Sequence, residues 1–199
     1  MIPASDDRSF RRAVLIVAIL NGAYFVIEFI VAQLIGSVSL LADSVDFLED
    51  TSINLLIFFA VAWSLKRRST VGHVLAFVIL VPALATIYIA VAKILAPSPP
   101  NVAALSLTAF GALAVNLSAA FILARHRRRS GSLVRAAWLS ARNDSLANVA
   151  IIAAAAVTLW LNSGWPDIIV GIAIGLLNAD AARAVWRAAR AERRDGAIP

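Results

Sequence analysis

Residues 36–56 read GSVSLLADSVDFLEDTSINLL, and the fold turns on how this stretch is placed. It is apolar enough and long enough for a buried helix, yet it carries four carboxylates, Asp43, Asp46, Glu49 and Asp50. A charge near the centre of a bilayer costs at least ~2.5–3.5 kcal/mol, so acids inside such a helix mark an ion pathway or a proton relay. At ~100° per residue, Ser39, Asp43, Asp46, Asp50 and Asn54 fall within a stripe of ~60°, and Glu49 lies off it. Asp46 and Asp50 are one turn apart on the same face. Two carboxylates at that distance repel each other unless a proton or a cation lies between them.

The rest of the chain supplies the membrane context. Of its 199 residues, 61% are hydrophobic and 15% charged, whereas a soluble domain carries about 25% charged residues. The apolar residues form six runs, at 12–35, 37–65, 71–95, 102–124, 133–161 and 166–187. Each is long enough to cross a hydrocarbon core of ~30 Å as a helix. The expectation is an all-α integral membrane protein with six transmembrane helices. Residues 1–11 form a cytoplasmic N-terminal segment, 12–187 the helical domain, and 188–199 a short cytoplasmic tail.

The net charge of +6 does not indicate nucleic acid, because its distribution is topological. Sixteen of the 18 Lys and Arg fall in four clusters: Arg8, Arg11 and Arg12; Lys66, Arg67 and Arg68; Arg125 through Arg135; and Arg183 through Arg194. The loops near Gly36, at 97–101 and at 162–167 have neither residue. This is the positive-inside pattern, with both termini in the cytoplasm. Lys93 reaches the outer surface by snorkelling, and Arg142 is expected to neutralise a carboxylate or reach the headgroups. Trp160 and Trp165 suit interfacial anchoring. Pro82 is expected to kink the third helix. His73 and His126 read as solvated. Cysteine is absent, which excludes disulfides and thiolate ligands.

The fifth run, LVRAAWLSARNDSLANVAII, complements the second. Ser140, Asp144 and Asn148 follow one another in steps of four and share a face. If that face meets the acidic stripe, Asp46, Asp50 and Asp144 surround one cation. Ser140, Asn148, Asp43 and Asn54 are further candidates for ligation or for the ion pathway. Asn21 and Glu28 share a face of the first helix, where they either line the same cavity or pair helices, packing being the favoured reading.

GSVSLLADSVDFLED resembles the G-S-x-A-L-L-A-D-x-x-[HD]-x-x-x-D signature of the cation diffusion facilitator (cation efflux) family. VRAAWLSARND is similar to that family's V-R-A-A-x-L-H-x-x-x-D. The resemblance implies metal ligation by Asp46, Asp50 and Asp144, and export of a divalent metal in exchange for protons. It departs from the pattern at Ser140, where the family usually has histidine, and at Asp46, which replaces another. An all-oxygen set suits manganese or magnesium better than zinc, with cobalt and iron also open. The family's cytoplasmic domain has no counterpart after the sixth run, so a homodimer would rest on the membrane helices.

No tightly bound cofactor is expected. The partners are the metal ion, protons and lipid, including anionic headgroups at the basic clusters. The location expected is a bacterial cytoplasmic membrane. Two rivals remain: a non-transporting membrane partner, and a metal-dependent membrane phosphotransferase. The second needs glycine and arginine after the second aspartate, where Phe47, Leu48 and Glu49 stand.

Overall fold

Backbone polar groups in lipid must be satisfied within the chain, so apolar runs of this length become helices. The computed structural model describes residues 4–60, 65–125 and 131–178. It has α1 (Ala4–Ile35), α2 (Val38–Ala60), α3 (Leu65–Leu95), α4 (Val102–Ala124) and α5 (Gly131–Leu161). Helix α6 follows over Trp165–Asn178. No strand occurs among the described residues. The remainder of the sixth run, the tail, Arg127 to Arg129 and His126 lie outside them, as do the side chains of Lys66 to Arg68 and His73.

Several boundaries differ from the sequence reading. Helix α1 begins at Ala4 rather than at residue 12, so the polar N-terminal stretch extends the helix. Lys66, Arg67 and Arg68, which the sequence reading sets between the second and third runs, fall in the opening turn of α3. Helix α3 is assigned without interruption through Pro82, and the Thr86 hydroxyl donates to the Pro82 carbonyl at 3.0 Å. Gly36 makes the turn between α1 and α2 with φ +63, which a residue without a Cβ adopts freely.

Among the described residues, four helices contain stretches long and apolar enough to span a membrane: Ser9–Ile35, Val78–Leu95, Val102–Ala124 and Trp138–Leu161. Helix α2, at 23 residues, has the length (about 35 Å). Its four carboxylates dilute its apolar character.

Helices α1, α2, α5 and α4 close a ring, each packed on the next, and α3 lies against α2. Helix α3 is peripheral, and Val78, Val81, Leu84, Ile87 and Tyr88 face outward as a lipid-facing surface. Inside the ring, one apolar cluster is built from Leu40, Leu41, Leu105, Ala109, Ile151 and Ala155. A second holds Val14, Val17, Ile57, Ala119, Leu123 and Ala141. In helix register the first lies towards the Gly36 end and the second towards the opposite end. Buried Asn21, Glu28, Asp43, Asp50, Asn116 and Asn148 occupy the layer between them.

At the Gly36 end the loops pack together. Lys93 donates to the Ser98 carbonyl at 3.1 Å and to its hydroxyl at 2.8 Å. A Cβ on Gly164 would fall 2.6 Å from the Ser98 carbonyl oxygen, so only glycine permits this approach of the two loops. Trp160 and Trp165 are both exposed nearby, as interfacial anchors would be.

Candidate functional site

The acidic stripe of α2 faces the ring interior, and α5 meets it as the spacing predicts. The Ser140 hydroxyl lies 3.1 Å from Asp50 Oδ1 and 3.5 Å from Asp144 Oδ2, so it bridges carboxylates of two helices. Asp50 is buried, and Ser140 and Asp144 are half-buried. Asp46 is half-buried too and stands one helical turn before Asp50 on the same face. The three aspartates are therefore neighbours. They are not drawn into one tight cage: among the described residues, no group of three or more His, Cys, Asp or Glu side chains is arranged to hold a metal ion. Repulsion between like charges keeps such side chains apart.

Helix α1 enters the same layer. Asn21 is fully buried, and its Nδ2 donates to Asp50 Oδ2 at 3.4 Å. Its Oδ1 has no hydrogen-bond partner. One and two turns closer to the Gly36 end, Tyr24 and Glu28 continue the face. The Tyr24 hydroxyl donates to the Thr108 carbonyl of α4 at 2.5 Å, and its ring lies 5.1 Å from that of Phe47. Glu28 is fully buried opposite Asp43, within side-chain hydrogen-bonding range of it. Neither Glu28 oxygen receives a donor from another group, and Asp43 Oδ1 is likewise without one.

The two asparagines named from sequence have separate surroundings. Asn148 donates to Asp43 Oδ2, while its own Oδ1 accepts from Asn116 Nδ2 of α4 at 3.0 Å. Both amides are buried. Asn148 thus orients Asp43 and ties α5 to α2 and α4. Asn54 turns its Nδ2 back onto the Asp50 main-chain carbonyl at 2.8 Å, leaving Oδ1 unpartnered. Arg142 does not neutralise a carboxylate: it is exposed, donates to Asn143 at 3.2 Å, and stacks 5.6 Å from the Trp138 ring. On the outward face of α5 it is on the wrong side of its helix to reach the acids.

A further buried acid is not marked by the acidic stripe. Asp167, in the first turn of α6, is 1% exposed. It accepts from the Ser37 hydroxyl at 2.7 Å, the Val38 N–H at 2.8 Å, and the Ser39 hydroxyl and N–H at 2.5 and 3.3 Å. Ser37 in turn accepts from the Leu40 N–H at 3.2 Å as the local cap. Helix N-termini present unpaired N–H groups and favour negative charge, so one carboxylate serves the starts of both α2 and α6. Gly171 brings the helices together: a Cβ there would stand 2.6 Å from the Val38 main chain. Ser39 therefore belongs to this cap and not to the acidic site. Asp167 was legible only as an acid in a helix's first turn. Asn116, a lone amide in the apolar fourth run, gave a sequence signal that went unread.

Residues 14–191 match the family model described as the cation efflux transmembrane domain. The zinc transporters ZitB of Escherichia coli K12 and of Shigella flexneri are each 27% identical over 92% of this chain. The chain spans 61% of the length of those two relatives.

Proposed function

The chain belongs to the cation efflux family, and from that premise we propose that it is a secondary transporter moving a divalent metal cation across the membrane in exchange for protons. It is an integral protein of the bacterial inner membrane. The observation that carries the reading is the meeting of Asp50 and Asp144, from α2 and α5, on the Ser140 hydroxyl inside the helix ring. Oxygen ligands on two rigid helices, with Asp46 beside them, offer a site where metal and protons compete. Metal binding to carboxylates releases protons, so each cation that enters displaces the protons that return after it leaves.

Access supports an alternating mechanism. Asp46, Glu49, Ser140 and Asp144 keep partial exposure, whereas Asn21, Glu28, Asp43 and Asn148 are sealed. Of the sealed group, Glu28, Asp43 and Asn148 lie towards the Gly36 end, beneath the cluster of Leu40, Leu41 and Leu105, and Asn21 lies level with Asp50. With the basic clusters in the cytoplasm, the site stands closed on its outer side, and export requires the outer halves of α1, α2, α4 and α5 to part.

The ion is set by the donors. The curated relatives are named as zinc transporters. Ser140 and Asp46 remove the imidazoles of the family pattern, and an all-oxygen set favours a harder ion such as manganese or magnesium.

Uptake into proteoliposomes under an imposed proton gradient tests the reading, comparing manganese, zinc, cobalt, iron and magnesium. Gradient-dependent uptake of one ion, lost in Asp50→Ala, is the expected result. Uptake no greater than in empty liposomes for every ion, with no metal effect on melting, sinks it in favour of a non-transporting membrane partner.

A further inference from the structure

The candidate cation site has three carboxylates and one hydroxyl from α2 and α5, and α1 contributes the feature that lacks an explanation. Asn21 is 0% exposed, and its amide oxygen meets no donor. Its Nδ2 contact to Asp50 is long for a charge-assisted hydrogen bond, at 3.4 Å against about 2.7–2.9 Å. A buried amide that makes one weak bond out of a full complement is costly, more so in a membrane.

The two ends of a side-chain amide differ little in shape, and a half-turn about the Cβ–Cγ bond exchanges them. After that turn Asn21 Oδ1 occupies the Nδ2 position, 3.4 Å from Asp50 Oδ2. Two oxygens each about 2.1 Å from a shared ion stand about 3.0–3.4 Å apart, for angles between 90° and tetrahedral. Ser140 Oγ lies 3.1 Å from Asp50 Oδ1 and 3.5 Å from Asp144 Oδ2. The Asn21–Asp50 and Ser140–Asp50 separations therefore have the lengths of edges of an oxygen coordination polyhedron, and Ser140–Asp144, at 3.5 Å, is slightly longer.

The other amides are committed elsewhere. Asn148 uses its oxygen on Asn116 and its nitrogen on Asp43. Asn54 anchors its nitrogen on its own helix. Asn21 alone among these three has its weak bond directed at a site carboxylate.

The geometry points to Asn21 as a ligand of the transported cation, its amide oxygen joining Asp50, Asp144 and Ser140 and so linking α1 to the site. This rests on the cation-transport reading above. It gives the departure at Ser140 a compensation: a neutral oxygen from α1 offsets the missing imidazole and keeps the donor set all-oxygen. It also makes the position of α1 sensitive to the ion, since α1 packs on both α2 and α4.

The experiment is Mn²⁺ and Zn²⁺ binding to the detergent-purified full chain, for the native protein, Asn21→Leu, Asn21→Asp and Asp50→Ala. A ligand role predicts that Asn21→Leu weakens Mn²⁺ binding at least tenfold and that Asn21→Asp, which keeps an oxygen and lacks a donor, restores it. In isotope-edited infrared spectra, the Asn21 amide carbonyl band shifts on adding Mn²⁺, a response that a packing role would not give. Binding by Asn21→Leu within twofold of native, or Asn21→Asp as weak as Asn21→Leu, overturns the assignment. If those results come with native binding that Asp50→Ala abolishes, the transport reading stands without it. Native protein that binds neither ion overturns both.

Discussion

Asp167 and Glu28 are both sealed carboxylates, 1% and 0% exposed, yet their surroundings are opposite. Asp167 accepts four hydrogen bonds from Ser37, Val38 and Ser39 at the start of α2. Glu28 has no hydrogen-bond partner on either oxygen, and Asp43, Asn21 and Asn54 also leave oxygens unpartnered in the same layer. A buried acid that is saturated with donors holds a structure together. A buried acid facing another acid is tolerated because something else is done there. The contrast separates a structural cap at the start of α2 from the acidic layer further along that helix.

The largest effect that sharpens this contrast is expected at the site. Asp144→Ala abolishes gradient-driven metal uptake in proteoliposomes while leaving the melting temperature of the metal-free protein unchanged or higher, because a repelling charge is removed. A large fall in that melting temperature would make Asp144 a structural acid like Asp167. Next comes the cap. Asp167→Ala strips two buried N–H groups and two hydroxyls of their acceptor and destabilises the protein by on the order of 3 kcal/mol, read by denaturation in detergent. It leaves metal affinity in the surviving folded protein within twofold of native.

A smaller effect, of opposite sign, is expected from Glu28→Gln. The new amide can donate to Asp43 Oδ1, which has no donor, so stability rises by about 1 kcal/mol. A fall of that size would show that Glu28 is satisfied as it stands and would erase the contrast with Asp167. The smallest is Arg142→Ala, within about 0.5 kcal/mol and without effect on uptake, as befits an exposed side chain outside the site.

Much of this was readable before any coordinates. The lengths of the apolar runs made six helices, and the spacing of Asp46 and Asp50, and of Ser140 and Asp144, placed each pair on one face. Those are consequences of helical periodicity, which acts within a segment. The boundaries near Ala60 and Leu65 were less legible. Polar residues such as Lys66 and Arg67 are equally acceptable at the end of one helix and the start of the next.

What sequence determined, then, was everything local: the membrane class, the acids that must be shielded and the faces they share. What tertiary structure decided was which partner each polar group found. Asp167 lies more than a hundred residues from Ser37, and Asn21 lies 29 residues from Asp50. Periodicity places both asparagine and aspartate on an inward face without distinguishing a cap from a ligand. That distinction depends on which donors and acceptors the helices bring within 3.5 Å, and distances of that kind are fixed only when α1, α2, α4, α5 and α6 pack together.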